Sequence, residues 1–465
     1  MSAPPLPPGL RLVLDPTVRR YRQGRVLVGG AGGRVITLSA AGCRALEELL
    51  RESPPASPAA RVLGRRLLDA GLVHSRPAAQ SVDDGVSVTI AIPVCDRADA
   101  LEAALVAVGS AHPVVVVDDG STDTAAVAGI CARHGARLLV HAANIGPAAA
   151  RNTALTAIRT DLIAFLDSDC RPPGGWIDAL VPHFQDPAVV AVAPRIRPRS
   201  AAVRGSVLGR YASARSPLDL GPREGLVGPG RPIAYVPTAA LIVRRAALAD
   251  GFDPALRYGE DVDAIWRLYD AGGRVRYEPR VEVEHEEPSS WRALLGRRLR
   301  YGTSAAPLAV LHPERLAPLV LRPWPTSTVL AGLGGRPRTA LGLTAMTAAR
   351  LVHRNGNNGV PRWRALAWTL RATWLTAVTS GRAATMFAGP ALLLALGHRR
   401  LRRPALTLLL LTPLSDWAAR RPSLDPVRWT LAAVADDAAY GTGVWIGCAR
   451  HRTIRPLIPR GRGAA

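Results

Sequence analysis

Residues 86 to about 302 predict an α/β domain built on a mostly parallel sheet. The apolar runs VSVTIAIPV, VVVVDDGS, ARLLVH and DLIAFLDSD alternate with helix-like segments, and strands that alternate with helices pair in parallel within one sheet. Two of these runs end in aspartates, at the strand ends where such sheets collect ligands. A small α+β block, residues 10–80, precedes the domain, and residues 303–465, rich in Ala, Leu, Trp and Arg, read as a helical region.

In the first block, alternating apolar positions around residues 25–28 and 35–38 predict two short strands, with Gly29, Gly30, Gly32 and Gly33 as the turn between them. Ser39 is placed to cap a helix over residues 40–50, and a second helix over residues 59–70 stops at Gly71. Pro54, Pro55 and Pro58 separate the two helices. Residues 74–85 are polar and aperiodic, and predict a linker.

At 465 residues the chain is long enough for two or three units. Its formal net charge of +23 draws phosphates, nucleic acid or an anionic membrane surface without choosing among them. Cys43, Cys95, Cys131, Cys170 and Cys448 are odd in number and widely spaced, which argues for reduced thiols and a cytoplasmic chain. The opening MSAPPLPPGL lacks the charged start and apolar run of a signal peptide. Residues 384–397 and 405–414 are strongly apolar but shorter than the roughly 20 residues of a spanning helix. A membrane-surface element is the expectation.

Carboxylates at the strand ends suggest the chemistry. Transfer of a sugar from a nucleotide donor must hold a base and ribose, neutralise a diphosphate and deprotonate a hydroxyl. Asp118 and Asp119 precede Gly120 and Ser121 at the end of VVVV, where base and ribose donors can be met, although capping aspartates in a turn look the same. Asp167 and Asp169 of FLDSD form a compact hard-oxygen pair suited to Mg²⁺ or Mn²⁺. His285 of VEVEH adds a possible imidazole ligand. In GEDVDAIWRL, Asp261 is the candidate general base, although acidic residues also complement a helix N-terminus. Asn144, Gly146, Arg151 and Asn152 of NIGPAAARN can line the donor pocket. Arg300 of GRRLRYG can face the diphosphate, or can lie on a merely basic helix surface.

In this order, IPVCDR, VVDDGS, NIGPAAARN, FLDSD, GFDPALRYGEDVD and His285 resemble the family 2 glycosyltransferases of the GT-A fold. That resemblance implies inverting transfer from a nucleotide sugar. It places donor binding at Pro93, Asp96, Arg97, Asp118, Asp119, Asn144, Gly146, Arg151, Asp167 and Arg300, the metal at Asp167, Asp169 and His285, and the base at Asp261. RRLRY is similar to the Q-x-x-R-W motif of processive members, but Arg297 stands for the glutamine and Tyr301 for the tryptophan. The run GGRVITLSAAGCRALEELL resembles the winged-helix-like PqqD-type domains, the RiPP recognition elements, which bind precursor peptides by adding a strand to a sheet edge. This pairing, with RYGTSAAPLA, resembles the glycosyltransferases of the mycofactocin system. It implies a UDP-glucose donor, mycofactocin or its precursor peptide as acceptor and a β-linked glucose chain. The apolar segments of the C-terminal third make a membrane surface a further expected partner, and nucleic acid is not expected. Two rival readings stay open, a transferase acting on an envelope lipid or polysaccharide and a non-catalytic peptide carrier.

Overall fold

The computed structural model describes residues 4–30, 33–51, 57–77, 85–199 and 203–461. Gly32, Pro54, Pro55 and most of the expected linker lie outside them. The chain forms two compact units, residues 1–199 with 216–286, and residues 200–215 with 287–465.

The first unit opens with β1 (Arg11–Leu14), β2 (Arg19–Tyr21), β3 (Val26–Gly29), β4 (Arg34–Thr37), α1 (Ala40–Leu49), α2 (Pro58–Asp69) and β5 (Val73–Arg76). Strands β3 and β4 form the expected antiparallel pair, and Ser39 Oγ caps α1 by accepting from Gly42 N. Leu12, Leu27, Leu46, Leu49, Leu67 and Leu72 fill the core between sheet and helices. The expected linker does not begin at His74. Residues 73–76 are a strand that pairs with β1, because its two chargeable side chains find partners. His74 meets Asp15 at 2.8 Å and Arg76 meets Glu224 at 2.7 Å.

The module is bolted to the rest of its unit by ion pairs. Arg65 donates two hydrogen bonds to the buried Asp186 at 2.8 and 2.7 Å, and Arg274 forks onto Asp69 at 2.8 Å. The buried Arg276 reaches Glu224 at 2.7 Å and the carbonyl of Ser75 at 3.2 Å. A planar guanidinium suits such two-point contacts with carboxylates.

Next come β6 (Val88–Val94), α3 (Ala98–Val108), β7 (Val114–Asp118), α4 (Thr124–Arg133), β8 (Arg137–Val140), α5 (Pro147–Ala157), β9 (Leu162–Leu166), β10 (Cys170–Arg171), α6 (Trp176–Leu180) and β11 (Val189–Arg199). After α7 (Val207–Ala214), which belongs to the second unit, follow β12 (Gly225–Val227), β13 (Ala240–Arg244), α8 (Glu260–Asp270) and β14 (Arg274–Glu286). The sheet order is β8-β7-β6-β9-β13-β11-β14-β10, with β12 also on β14. Neighbours β8, β7, β6 and β9 run parallel, as do β11 and β14, while β13 opposes both its neighbours. The mostly parallel sheet is therefore as expected. Its central strands β7 and β9 are buried throughout, as near-continuous apolar runs require when both faces are covered.

The second unit contains α7, α9 (Trp291–Thr303), α10 (Ala305–Leu311), β15 (Val320–Leu321), α11 (Pro323–Leu333), α12 (Pro337–Asn355), α13 (Arg362–Leu396), α14 (Arg402–Arg420), α15 (Pro426–Arg450) and β16 (Arg460–Gly461). Its interior holds charge. Arg215 bonds Asp436 at 2.8 Å and Asp437 at 3.0 Å, and Arg298 bonds Asp436 at 2.6 Å, all of them buried. The apolar run 384–397 is broken at Ala388, whose φ/ψ of −128°/24° is non-helical, because Pro390 two residues later cannot continue the ladder. Among the described residues no helix is long and apolar enough to cross a membrane.

Candidate active site

Where β6, β7 and β9 end, three loops are tied to one another. Pro93, near the end of β6, is half-buried, and Asp96, just after the strand, takes a left-handed φ of 53°. This turn lets Asp96 N donate to Ser121 Oγ at 2.9 Å while Asp96 Oδ1 accepts from Thr122 N at 2.7 Å. The backbone bond from Thr122 holds the Asp96 carboxyl below the usual range.

The two aspartates after β7 behave differently. Asp118 is fully buried, and its Oδ1 accepts from Ser121 N at 2.9 Å. Its Oδ2 has no partner among the described residues. Both oxygens of Asp119 are engaged. Its Oδ1 takes His141 Nδ1 at 2.8 Å and Ile145 N at 3.0 Å, and its Oδ2 takes Gly146 N at 2.8 Å. Asp119 thus braces the loop that carries Asn144 and Gly146. Gly146 uses a φ of +100° with open space where a Cβ would stand, and Pro147 then starts α5 at a position where its missing N–H costs nothing. Asn144 Nδ2 donates to Cys95 Sγ at 3.2 Å, and Asn144 Oδ1 accepts from Arg257 at 3.0 Å.

Arg151, buried on α5, joins the end of β9 to the start of α8. It donates to Asp167 Oδ1 at 2.8 Å and to Glu260 Oε1 at 2.7 Å. Burial works against its charge, but the Asp167 and Glu260 carboxylates outweigh it and raise the pKa above the ordinary arginine value. Asn152 steadies the approach to α8 by a reciprocal pair with the backbone of Phe252, each bond 2.7 Å. Beside Glu260, in the first turn of α8, stands the half-buried Asp261. Burial and the Glu260 carboxylate push its pKa up to about 7. A carboxylate that gains a proton near neutrality is matched to general-base work.

Asp169 meets two groups. Arg97 bonds it from the end of β6, and His285 Nε2 stands 3.5 Å from its Oδ1. The antiparallel register of β10 and β14, with Cys170 opposite His285, produces that approach. Among the described residues no three His, Cys, Asp or Glu side chains are gathered into a metal cage. A carboxylate and an imidazole nonetheless fit Mg²⁺ or Mn²⁺, whose remaining positions fall to donor phosphates.

Residues 89–251 match the family model of glycosyl transferase family 2. The chain is 37% identical to a pre-mycofactocin glycosyltransferase of Mycobacterium tuberculosis, over 99% of each protein. The chain belongs to the pre-mycofactocin glycosyltransferases of family 2. A more distant relative is the N-acetylglucosaminyl-diphospho-decaprenol L-rhamnosyltransferase of the same organism, 30% identical over 38% of this chain and 67% of that one. Among solved structures, the mannosyltransferase PcManGT from Pyrobaculum calidifontis, in complex with GDP-Man and Mn²⁺, is similar at 19% identity and a TM-score of 0.37. It covers 64% of this chain and 87% of that one.

This family 2 glycosyltransferase has the GT-A-like α/β fold that the sequence resemblance implied, with carboxylates at its strand ends. The structure brings together Asp96, Asp119, Asn144 and Gly146 in one loop cluster, Arg151, Asp167 and Asp261 around the start of α8, and Arg97, Asp169 and His285 at the β10 edge. Arg300 lies on α9, in the second unit. Sequence reading missed the positioning roles of Glu260 and Arg257. Both stand inside the GFDPALRYGEDVD motif, but their partners are 109 and 113 residues away, so no local signal marks them.

Proposed function

We propose that the chain transfers glucose from UDP-glucose, with inversion, onto mycofactocin or its precursor and extends it into a β-linked oligosaccharide. The observation that carries this reading is similarity running end to end to a pre-mycofactocin glycosyltransferase. It includes the front module and the helical unit as well as the family 2 domain.

In the proposed reaction Asp261 takes the proton from the acceptor hydroxyl as its oxygen forms the bond to the anomeric carbon. The bond from that carbon to the diphosphate breaks, and UDP departs with the electron pair. Arg151 keeps Asp261 in place by holding Glu260 against Asp167. The loop braced by Asp119, with Asp118 buried at its base, receives the base and ribose. Of the expected trio, Asp169 and His285 stand together and would hold Mg²⁺ or Mn²⁺, which when bound offsets negative charge on the leaving diphosphate. The N-terminal module presents β4, at one edge of its three-stranded sheet, to an extended precursor segment in the manner of a PqqD-type domain.

The test is to offer a panel of UDP-sugars with the mycofactocin precursor and follow product mass. A ladder of hexose increments with UDP-glucose supports the proposal, and no increment with any donor refutes it. The partial similarity to a decaprenol-linked sugar transferase supports a second reading, a polyprenyl-linked acceptor. Glycolipid product without peptide-derived product would establish it.

A further inference from the structure

The positive charge of this chain is concentrated in its C-terminal part. Residues 287–465 hold 26 arginines against six aspartates and glutamates, a net +20 of the chain's +23. Between Arg315 and Ser415 there are 14 arginines and no acidic residue. The buried ion pairs of the second unit draw their carboxylates from Asp436 and Asp437, outside that stretch. Within it, Arg382 reaches Asp437 at 3.3 Å.

The same stretch leaves apolar surface uncovered. Helix α12 has no buried side chain over its 19 residues, and in α11 Thr328 alone is buried. A helix that packs into a globular core buries an apolar stripe. On α13 the exposed side chains include Trp363 at 63%, Leu366 at 46%, Leu370 at 52% and Trp374 at 52%. Their spacing of three, four and four residues places them within an arc of about 80° on one helix face. Arg364 and Arg371 follow one flank of that face, and the Arg364 guanidinium lies 5.0 Å from the Trp363 ring centroid. Two tryptophans and two leucines in a row on a surface are not the scattered apolar residues of an ordinary exterior.

We propose that this face of α13 binds an anionic lipid bilayer, lying in its interface rather than crossing it. Tryptophan and leucine on one face beside arginine on the flank is the composition of an interfacial helix. The charge selects the partner. A second copy would set one acid-free, arginine-rich surface against another, whereas an anionic bilayer supplies the opposite charge over the whole area. The inference is independent of the sugar donor and acceptor, since it uses no residue of the transfer site.

The experiment is cosedimentation of the full chain with vesicles of phosphatidylcholine alone and of phosphatidylcholine mixed with phosphatidylglycerol. Binding is expected to the mixed vesicles, with a blue shift of tryptophan emission, and to fall as salt is raised. The variant Trp363→Ser/Trp374→Ser should weaken binding on the order of tenfold or more. Arg364→Gln/Arg371→Gln should weaken it about 30-fold, taking about 1 kcal/mol for each arginine near the surface. Both variants should keep the wild-type melting temperature and metal-dependent donor hydrolysis. Equal binding by wild type and the double tryptophan variant, or equal binding to both vesicle types, overturns the proposal. So does a dimer in vesicle-free solution that the tryptophan variant abolishes, because the face would then meet a second copy.

Discussion

Asp261 is held in a state that costs stability and serves reaction. Its pKa is raised from 3.8 to about 7, so the folded chain binds this proton more tightly than the unfolded chain does. The sign follows: the protonated group's contribution to stability is fully present below about pH 4 and is lost as pH rises through about 7. Asp261→Asn removes the charge that folding opposes. The variant should therefore melt higher than wild type at pH 8 and not at pH 4, while transfer falls about 10²- to 10⁴-fold and donor affinity is retained. Calorimetry at the two pH values and single-turnover assays check this, and a variant that melts lower at pH 8 contradicts it. In wild type, kcat/KM should climb with pH through an ascending limb near 7. Asp119 leads to a contrasting expectation. Both its oxygens accept, from two backbone N–H groups and His141, and an asparagine has only one such oxygen. Asp119→Asn should destabilise the chain by about 1–3 kcal/mol and weaken donor binding through the Asn144–Gly146 loop, as denaturant titration and donor binding would show. The carboxylates themselves were legible because they end apolar runs. Their division of labour was not, since Asp118 and Asp119 are adjacent and alike until His141 and the Ile145 and Gly146 amides are in place.

Among the elements, β7 and β9 could be read directly because strands buried on both faces have no polar alternation to obscure them. Strand β5 could not. Its run HSR resembles a linker until Asp15 and Glu224 pair with His74 and Arg76, and Glu224 is 148 residues from Arg76. The kinked α13 shows another limit: composition marks an apolar segment, while Pro390 decides that it does not continue as one straight helix. Element-scale stability should follow burial rather than the number of ion pairs. Arg215 is buried between Asp436 and Asp437, whereas the Arg382 side chain is 44% exposed with its contact to Asp437 at 3.3 Å. Arg215→Met leaves two buried carboxylates short of a partner and should cost about 3–5 kcal/mol. Arg382→Met should cost at most about 1 kcal/mol. Urea unfolding of the two variants checks the contrast, and equal losses would contradict it.

At the scale of the whole molecule, sequence motifs and folded units divide the chain differently. Motifs mark residues 86–302 as a transferase domain, but two kinds of buried partner lie outside that segment. Asp186 is paired with Arg65 of the front module, and Arg215 with Asp436 and Asp437 of α15. Residues 200–215 belong to the second unit although they fall between strands of the first. A fragment of residues 86–302 would therefore carry a buried aspartate and a buried arginine whose counter-charges had been removed, each such loss costing about 3–5 kcal/mol. Against a typical total of about 5–15 kcal/mol this is enough to unfold it. The fragment should show no cooperative melting transition and no metal-dependent donor hydrolysis, while the full chain shows both. If it instead melts cooperatively and hydrolyses donor at the full-length rate, these buried pairs do not hold the fold together.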